Sequence, residues 1–442
     1  MPKNNIRRLI DFFGINASIT AMVIMVVFIG LGEKMAERFL PIYILALGGS
    51  TIVVGFLNAM DNLLSALYSL PGGWISDRLG HKKALIIFTL IAMFGYAIVI
   101  ASPSWQAVLI GSIFFISWTA VSLPAVMSLV SQAVPKDKRA MGVTVHSFVR
   151  RIPMALGPIL GGLLIGNYGM VKGVRIAFGA ALGLAMISII VQWFFIDRPP
   201  VKLSAKGGCD SGARPTIPGS NSLHSNCQNM ESDEPQKAEV KSVKPAGGLF
   251  KNFNPALRNL LVSDILIRFA EQIPYAFVVV WVVNNIGLSA FHFGILTTVE
   301  MATAMLVYIP VAYLADRTSK KPFVIITFGF FTVFPLVLLF SRTFPVLIIA
   351  FIVRGLKEFG EPTRKALIMD LAPEDAKAIT FGTYYLFRDV IVAMAALSSA
   401  FLWNISPQTN FLVASACGLV GTVWFALLGK DLKAQAPGVG DK

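Results

Sequence analysis

The chain is expected to form an all-α membrane protein of twelve transmembrane helices, arranged as two pseudo-symmetric six-helix bundles. Three observations predict this: an internal repeat, an apolar composition, and loops that alternate between basic and nearly uncharged. The repeat is the most informative. Residues Gly73-Trp-Ile-Ser-Asp77-Arg78-Leu-Gly80-His81-Lys82-Lys83 return about 239 positions later as Ala312-Tyr-Leu-Ala-Asp316-Arg317-Thr-Ser319-Lys320-Lys321. Pro71, Gly55 and Asp61 recur at the same offset as Pro310, Gly294 and Glu300. Self-similarity over half a chain marks a duplicated architecture. Because both copies sit between long apolar runs, each half is expected to be a membrane bundle. Composition agrees: 55% of the 442 residues are hydrophobic, 14% are charged, and the mean hydropathy is +0.69.

A helix needs about 20 predominantly apolar residues to cross the hydrocarbon core. In the first half the runs near 16–46, 50–72, 84–102, 105–134, 140–168 and 173–196 supply them. In the second half they lie near 257–286, 291–314, 322–341, 344–372, 377–402 and 409–430. The charged segment Met1–Gly14 leads straight into a full span, so the start reads as a span and not as a cleaved leader. Pro153 and Pro158 should bend the fifth run, since each removes a helical hydrogen bond. Residues 197–255 open with Pro199-Pro200 and continue rich in Ser, Gly, Asn, Lys and Glu. Such a segment buries too little apolar surface to fold alone and reads as a tether. The expected organisation is therefore a bundle at 1–196, a linker at 197–255, and a bundle with a short tail at 256–442. Cys209, Cys227 and Cys417 fall in the linker and a late helix, so no disulfide framework is implied.

A formal charge of +14 could serve nucleic acid or membrane orientation, and its distribution decides. Lys3, Arg7 and Arg8 precede the first run, Arg78, Lys82 and Lys83 follow the second, and Lys136, Lys138 and Arg139 follow the fourth. Arg317, Lys320 and Lys321 follow the eighth, and the linker is lysine-rich. The alternate loops carry little beyond Lys172, Arg175 and Arg342. This is the positive-inside pattern, which places both termini and the linker in the cytoplasm of a plasma or cell inner membrane. No domain exists to present the charge to nucleic acid. No zinc-protease, phosphate-loop or nucleophile-elbow pattern occurs in a usable context, so neither an enzyme, a metal nor a cofactor is expected.

With these residues in view, the chain resembles the major facilitator superfamily of secondary transporters. The specific element is the loop G-x-L-A-D-R-x-G-R-K between second and third helices, which the first copy matches with Ile75, Ser76 and His81 as departures. The resemblance covers all but the linker. It implies alternating access, in which two bundles rock about a central site, and it makes the loop a cytoplasmic latch. The latch residues are Gly73, Asp77, Arg78, Gly80, Lys82, Asp316, Arg317 and Asp370, the last being the acid that the family places late in the fourth helix of each half. The first half has Ser131 and Gln132 at that place, so its latch should differ and lean on Arg139 or another cation. Gly157-Pro158-Ile-Leu-Gly161-Gly162 is similar to the core of the family's antiporter motif, and its small residues permit close helix packing. Arg354-Gly-Leu-Lys-Glu-Phe-Gly-Glu-Pro is similar to the arginine motif that the family usually carries in its fourth helix, here displaced to the tenth.

Charges inside spans carry the chemistry, because each costs at least about 2.5–3.5 kcal/mol at the bilayer centre unless paired or wetted. The first span is expected to be interrupted at Gly32–Arg38, where Glu33 and Glu37 share a face beside Lys34 and Arg38. The seventh carries Arg268 and Glu271, and the tenth carries Arg354, Lys357, Glu358, Glu361, Arg364 and Lys365. In the resembling family the first, fourth, seventh and tenth helices line the cavity, and the fourth offers Trp118. The expected solute site is thus Glu37, Arg38, Trp118, Arg268, Arg354, Lys357 and Glu361. Glu33, Glu271 and Glu358 are the first candidates for a proton carrier, with Asp61 and Glu300 behind them. A buried carboxylate beside an arginine can be switched by conformational change, as proton coupling requires. Arg150 and Arg388 correspond across the fifth and eleventh spans and read either as inter-helix pairing groups or as groups that handle protons or solute.

The expected function is secondary transport of a small polar or charged organic solute, an organic anion or zwitterion, coupled to protons. The expected partners are that solute, protons and the lipid bilayer around a monomer. A multidrug exporter is the alternative within the class, and a non-transporting receptor the alternative outside it.

Overall fold

Helix boundaries in this chain fall where proline, glycine or a capping side chain interrupts the apolar runs. The computed structural model describes residues 17–116, 118, 122, 139–195, 253–315, 319–373 and 377–430, and every regular element among them is helical. Asp316, Arg317 and linker residues 197–252 lie outside the described residues, as do the surroundings of Gly73 and the side chain of Asp77.

The first half contains α1 (Ala17–Glu37), α2 (Leu40–Ala46), α3 (Thr51–Leu79), α4 (His81–Ala101), α5 (Trp105–Phe115), α6 (Arg139–Tyr168) and α7 (Met170–Phe195). The first span breaks at Arg38 and Phe39, not across Gly32–Arg38 as the charges suggested. Nothing between 32 and 37 removes a backbone donor, whereas Pro41 lacks one and starts α2 where none is needed. Gly80 alone joins α3 to α4 at φ +80°, a left-handed conformation that favours glycine. Ser104 caps α5, its Oγ accepting from the Ala107 amide at 3.3 Å.

The second half contains α8 (Pro255–Tyr275), α9 (Phe277–Val280) with a π-helical turn at Trp281–Asn285, and α10 (Ala290–Ala315). It continues with α11 (Lys321–Phe340), α12 (Phe344–Leu356), α13 (Glu361–Leu371), α14 (Lys377–Ile405) and α15 (Pro407–Leu428). Asn254 caps α8, accepting from the Leu257 amide at 2.7 Å.

Among the described residues, 8 helices are long and apolar enough to cross a membrane: α4, α6, α7, α8 with its continuation, α10, α11, α14 and α15. The other four expected runs correspond to the broken pair α1 and α2, the polar-ended α3, α5 (most of that run beyond Ile116 lies outside the described residues), and the broken pair α12 and α13. Leu306, Phe340 and Leu427 are each at least 76% exposed on outer faces, where lipid and not water is the tolerable neighbour.

Lipid tails give apolar helices little reason to associate, so close backbone packing must hold them. The halves meet along α6 with α10 and along α3 with α14. A Cβ on Gly162 would lie 2.5 Å from the Ala290 carbonyl, and one on Gly294 would lie 2.5 Å from the Pro158 carbonyl. A Cβ on Gly55 would lie 2.7 Å from that of Ala400. Gly157 and Gly161 face Lys34 and Met35 of α1 in the same way. The four-residue core around Pro158 thus seats α6 between α1 and α10. All three inter-half contacts lie near the ends that carry the short, weakly charged loops, so that end of the molecule is tightly packed.

Candidate functional site

The tenth span is broken where its charges are densest. α12 stops at Leu356, residues 357–360 form turns, and α13 restarts with Pro362 in its first turn. Gly360 donates its amide to Thr327 Oγ1 at 2.5 Å, and a Cβ there would meet the Phe323 carbonyl at 2.5 Å. Irregular backbone at membrane depth is tolerated where it lines a polar cavity. Here it places Lys357 and Glu358 on the wall of a cavity of about 470 Å³ built from both halves.

The second half contributes a dense ion network. Glu271 is bound by Lys357 at 2.7 Å and by Arg268 at 2.5 Å. Glu361 takes Arg268 at 3.2 Å, Arg364 at 2.6 Å and Lys365 at 3.6 Å. Behind the cavity, Asp264 pairs with Arg364, lies 3.5 Å from Arg388, and accepts from Tyr384 Oη at 3.0 Å. Arg354 binds Glu300 at 3.2 Å and is surrounded by the rings of Phe334, Phe351 and Tyr275. Most of these buried charges are tolerable because they are both paired and hydrogen-bonded, whereas Glu300 Oε2, Asp264 Oδ1 and Arg268 Nε have no hydrogen-bond partner among the described residues.

The first half contributes Arg38, Asp61, Arg150 and Arg151 to the same wall. Arg151 crosses the cavity to Glu358 at 3.0 Å, linking the halves. Arg38 donates to Tyr275 Oη at 2.9 Å, and its Nε is buried without a partner. Among the described residues neither Arg38, Arg150 nor Asp61 has an ion-pair partner; Asp61 has only Ser65 Oγ at 3.5 Å. Asn58 and Asn62 reach Gln272 at 3.2 and 3.3 Å, a second polar link between α3 and α8.

Of the residues expected at the site, the structure brings together Arg38, Asp61, Arg268, Glu271, Glu300, Lys357, Glu358 and Glu361 on one wall. Glu37 and Arg354 line an adjoining recess. Glu33 and Trp118 are buried at 4% and 6% exposure and lie off both walls; Glu33 pairs with Lys34 at 3.1 Å. Of the latch residues, Arg78 stacks on Trp74 at 4.2 Å, Lys82 donates to the Trp193 carbonyl at 2.6 Å, and Asp370 pairs with Lys320. The sequence analysis singled out neither Asp264 nor Tyr275 as a site residue. The spacing of Asp264 and Arg268, one helical turn apart, was the signal for the former.

Two repeat-related helical halves enclosing one charged cavity define the class of membrane transporters. The Major Facilitator Superfamily model matches residues 22–254 and 260–441, and the chain belongs to that superfamily. It is a multi-pass integral membrane protein. An uncharacterised MFS-type transporter of Methanocaldococcus jannaschii is 20% identical over 397 residues, covering 88% of this chain and 89% of the relative. The D-galactonate transporter of Escherichia coli is 23% identical over 404 residues, covering 86% and 87%. The multidrug resistance protein MdtG of Salmonella paratyphi C is 27% identical over 187 residues, covering 40% of this chain and 44% of its own length. The fold matches the nucleoside transporter NupG with a TM-score of 0.71 at 13% identity, covering 94% of this chain and 100% of that one.

Proposed function

We propose that this transporter moves a small polar or charged organic solute by alternating access, coupled to protons. The observation that carries the reading is the single cavity in which both halves present unpaired as well as paired charges. Rocking the halves about such a cavity exposes it to each side of the membrane in turn. The packed contacts of α6 with α10 and α3 with α14 form one closed end, and the Arg151–Glu358 bridge is a thin, reversible link nearer the other.

Ion pairing reorders the candidate proton carriers. A carrier must gain and lose its proton without stranding a cation. Among the described residues Glu271 is bound by two cations, Glu358 by Arg151 and Glu33 by Lys34, and Glu300 is bound by Arg354 with Lys357 at 3.9 Å. Asp61 holds none among the described residues and reaches both the cavity and its recess. It is therefore the preferred carrier. In proteoliposomes, Asp61→Asn should lose proton-driven accumulation while counterflow of the same solute persists. Full accumulation by that variant would remove Asp61 from the role.

The charge asymmetry supports a cytoplasmic location for both termini and the 197–255 linker in the plasma or cell inner membrane. Single cysteines placed in the linker and at Ser289 should label oppositely with an impermeant reagent in intact cells. Linker labelling from outside would reverse the orientation. A drug-exporting function is the second reading, favoured by the partial match to MdtG. The six basic groups on the cavity wall argue for a charged solute over a hydrophobic one.

A further inference from the structure

Arg38, Asp61 and Tyr275 belong to two adjoining spaces. One is the charged cavity, and the other is a narrow recess of about 50 Å³ walled chiefly by Leu40, Pro41, Val54, Leu57, Val279 and Phe293. We infer that the solute is an amphipathic organic anion, with its acidic group held by Arg38 and Arg150 and a short apolar end inserted into the recess. This rests on reading the cavity as the solute site.

The argument is one of charge left over. Arg151, Arg268, Lys357 and Lys365 on the cavity wall are each bound to a glutamate. The charged groups of the recess outside the shared pair are likewise bound, Glu37 to Lys34 and Arg354 to Glu300. Arg150 has Glu33 and Glu358 as its acidic neighbours, and both are bound to other cations. What remains unpaired among the described residues is two guanidinium groups and one carboxylate. Whether or not Asp61 carries a proton, the surplus is positive. A cationic solute would add to that surplus, and a neutral one would leave it uncompensated. An anion offsets it, and a carboxylate, phosphate or sulfonate matches the planar guanidinium fork. The buried Nε of Arg38, which has no acceptor, stands at the junction of the two spaces as an unused donor.

The recess sets the other end of the solute. At roughly 10–15 Å³ for each water-sized group, it accepts about four such groups, the bulk of a short alkyl chain. Its apolar wall rewards methylene groups and not hydroxyls. The solute so described is neither a bare inorganic anion nor a polyhydroxylated one.

The test is titration calorimetry on the full chain in lipid nanodiscs, with empty nanodiscs subtracted. The probes are straight-chain sulfonates and carboxylates of increasing length, with matched alcohols and amines. The anions should bind about tenfold or more tightly than the alcohol or amine of equal length, since charge-assisted hydrogen bonds to arginine are lost in the latter. Affinity should climb with chain length and level off after about four carbons. Arg38→Gln and Arg150→Gln should each weaken anion binding about tenfold. Leu57→Trp, which fills the recess, should weaken the long anions and spare the one-carbon anion. Equal binding of amines, or anion binding unchanged in both arginine variants, would overturn the proposal, as would affinity that ignores chain length. If a solute of another class is carried by the same cavity, the inference fails and coupled transport stands. If an anion binds as described but no proton gradient moves it, the coupling fails and the assignment of solute chemistry stands.

Discussion

Glu300 of α10 and Asp61 of α3 are corresponding acids of the internal repeat, as Arg388 of α14 and Arg150 of α6 are corresponding cations. In the second half both are bound: Glu300 by Arg354 at 3.2 Å, and Arg388 by Asp389 at 2.7 Å with Asp264 at 3.5 Å. In the first half neither has an ion-pair partner among the described residues. Duplication gave the same positions to both halves, and the two halves use them differently. Apart from Glu358, which Arg151 of the first half binds, charge in the second half closes on itself across α8, α10, α12, α13 and α14 and holds that bundle together. Charge in the first half is left facing the cavity, where a proton or a solute can answer it.

The largest effect that bears on this contrast is expected at the buried pair behind the cavity. Arg364→Leu removes the nearest cation of Asp264, which is 1% exposed and keeps Arg388 at 3.5 Å and the Tyr384 hydroxyl close by, and should lower stability by about 3–5 kcal/mol, read as a fall in thermal midpoint and folded yield. Adding Asp264→Asn to it should recover part of the loss. Arg150→Leu in the same assay should stay within about 1 kcal/mol of the parent, because no buried partner is stranded. A comparable collapse of Arg150→Leu would break the contrast.

A middle-sized effect is expected where the halves touch. Gly294→Val would drive a side chain against the Pro158 carbonyl, and overpacking of this kind costs about 1–3 kcal/mol. Under the proposed alternating access this contact parts when that end opens, so the substitution should shift the population toward parting of α6 and α10. Distances between spin labels at Asn167 and Ser289, both exposed, should lengthen. Unchanged distances with lowered stability would make the contact a packing feature of the fold alone. The smallest effect is expected at the Lys320–Asp370 pair, whose side chains are 24% and 38% exposed. Lys320→Gln should change stability by no more than about 1 kcal/mol, a difference visible in a denaturant series.

Much of the fold was legible because membrane spans are written in long apolar runs and the repeat set their phase. The break in α12 and α13 was foreshadowed by Gly360 and Pro362 among charges. The break in the first span was misplaced by reading charge as interruption, when Pro41 was the residue that removed a donor. The site was legible as a set of charged positions on particular helices. Which of them were already paired was not, because pairing depends on rotation of one helix against another. Glu271 and Asp61 look alike along the chain, yet one faces Lys357 and Arg268 and the other faces open cavity. Asp264 escaped notice for the same reason, its partners Arg364 and Arg388 lying about 100 or more residues away.

The most direct test compares the repeat-related acids themselves, Asp61→Asn and Glu300→Gln, by equilibrium unfolding in the same detergent. Glu300→Gln leaves Arg354, 4% exposed, without its carboxylate and should lose about 3–5 kcal/mol. Asp61→Asn strands no cation and should remain within about 1 kcal/mol of the parent. Equal losses in the two variants would contradict the division of charge between the halves.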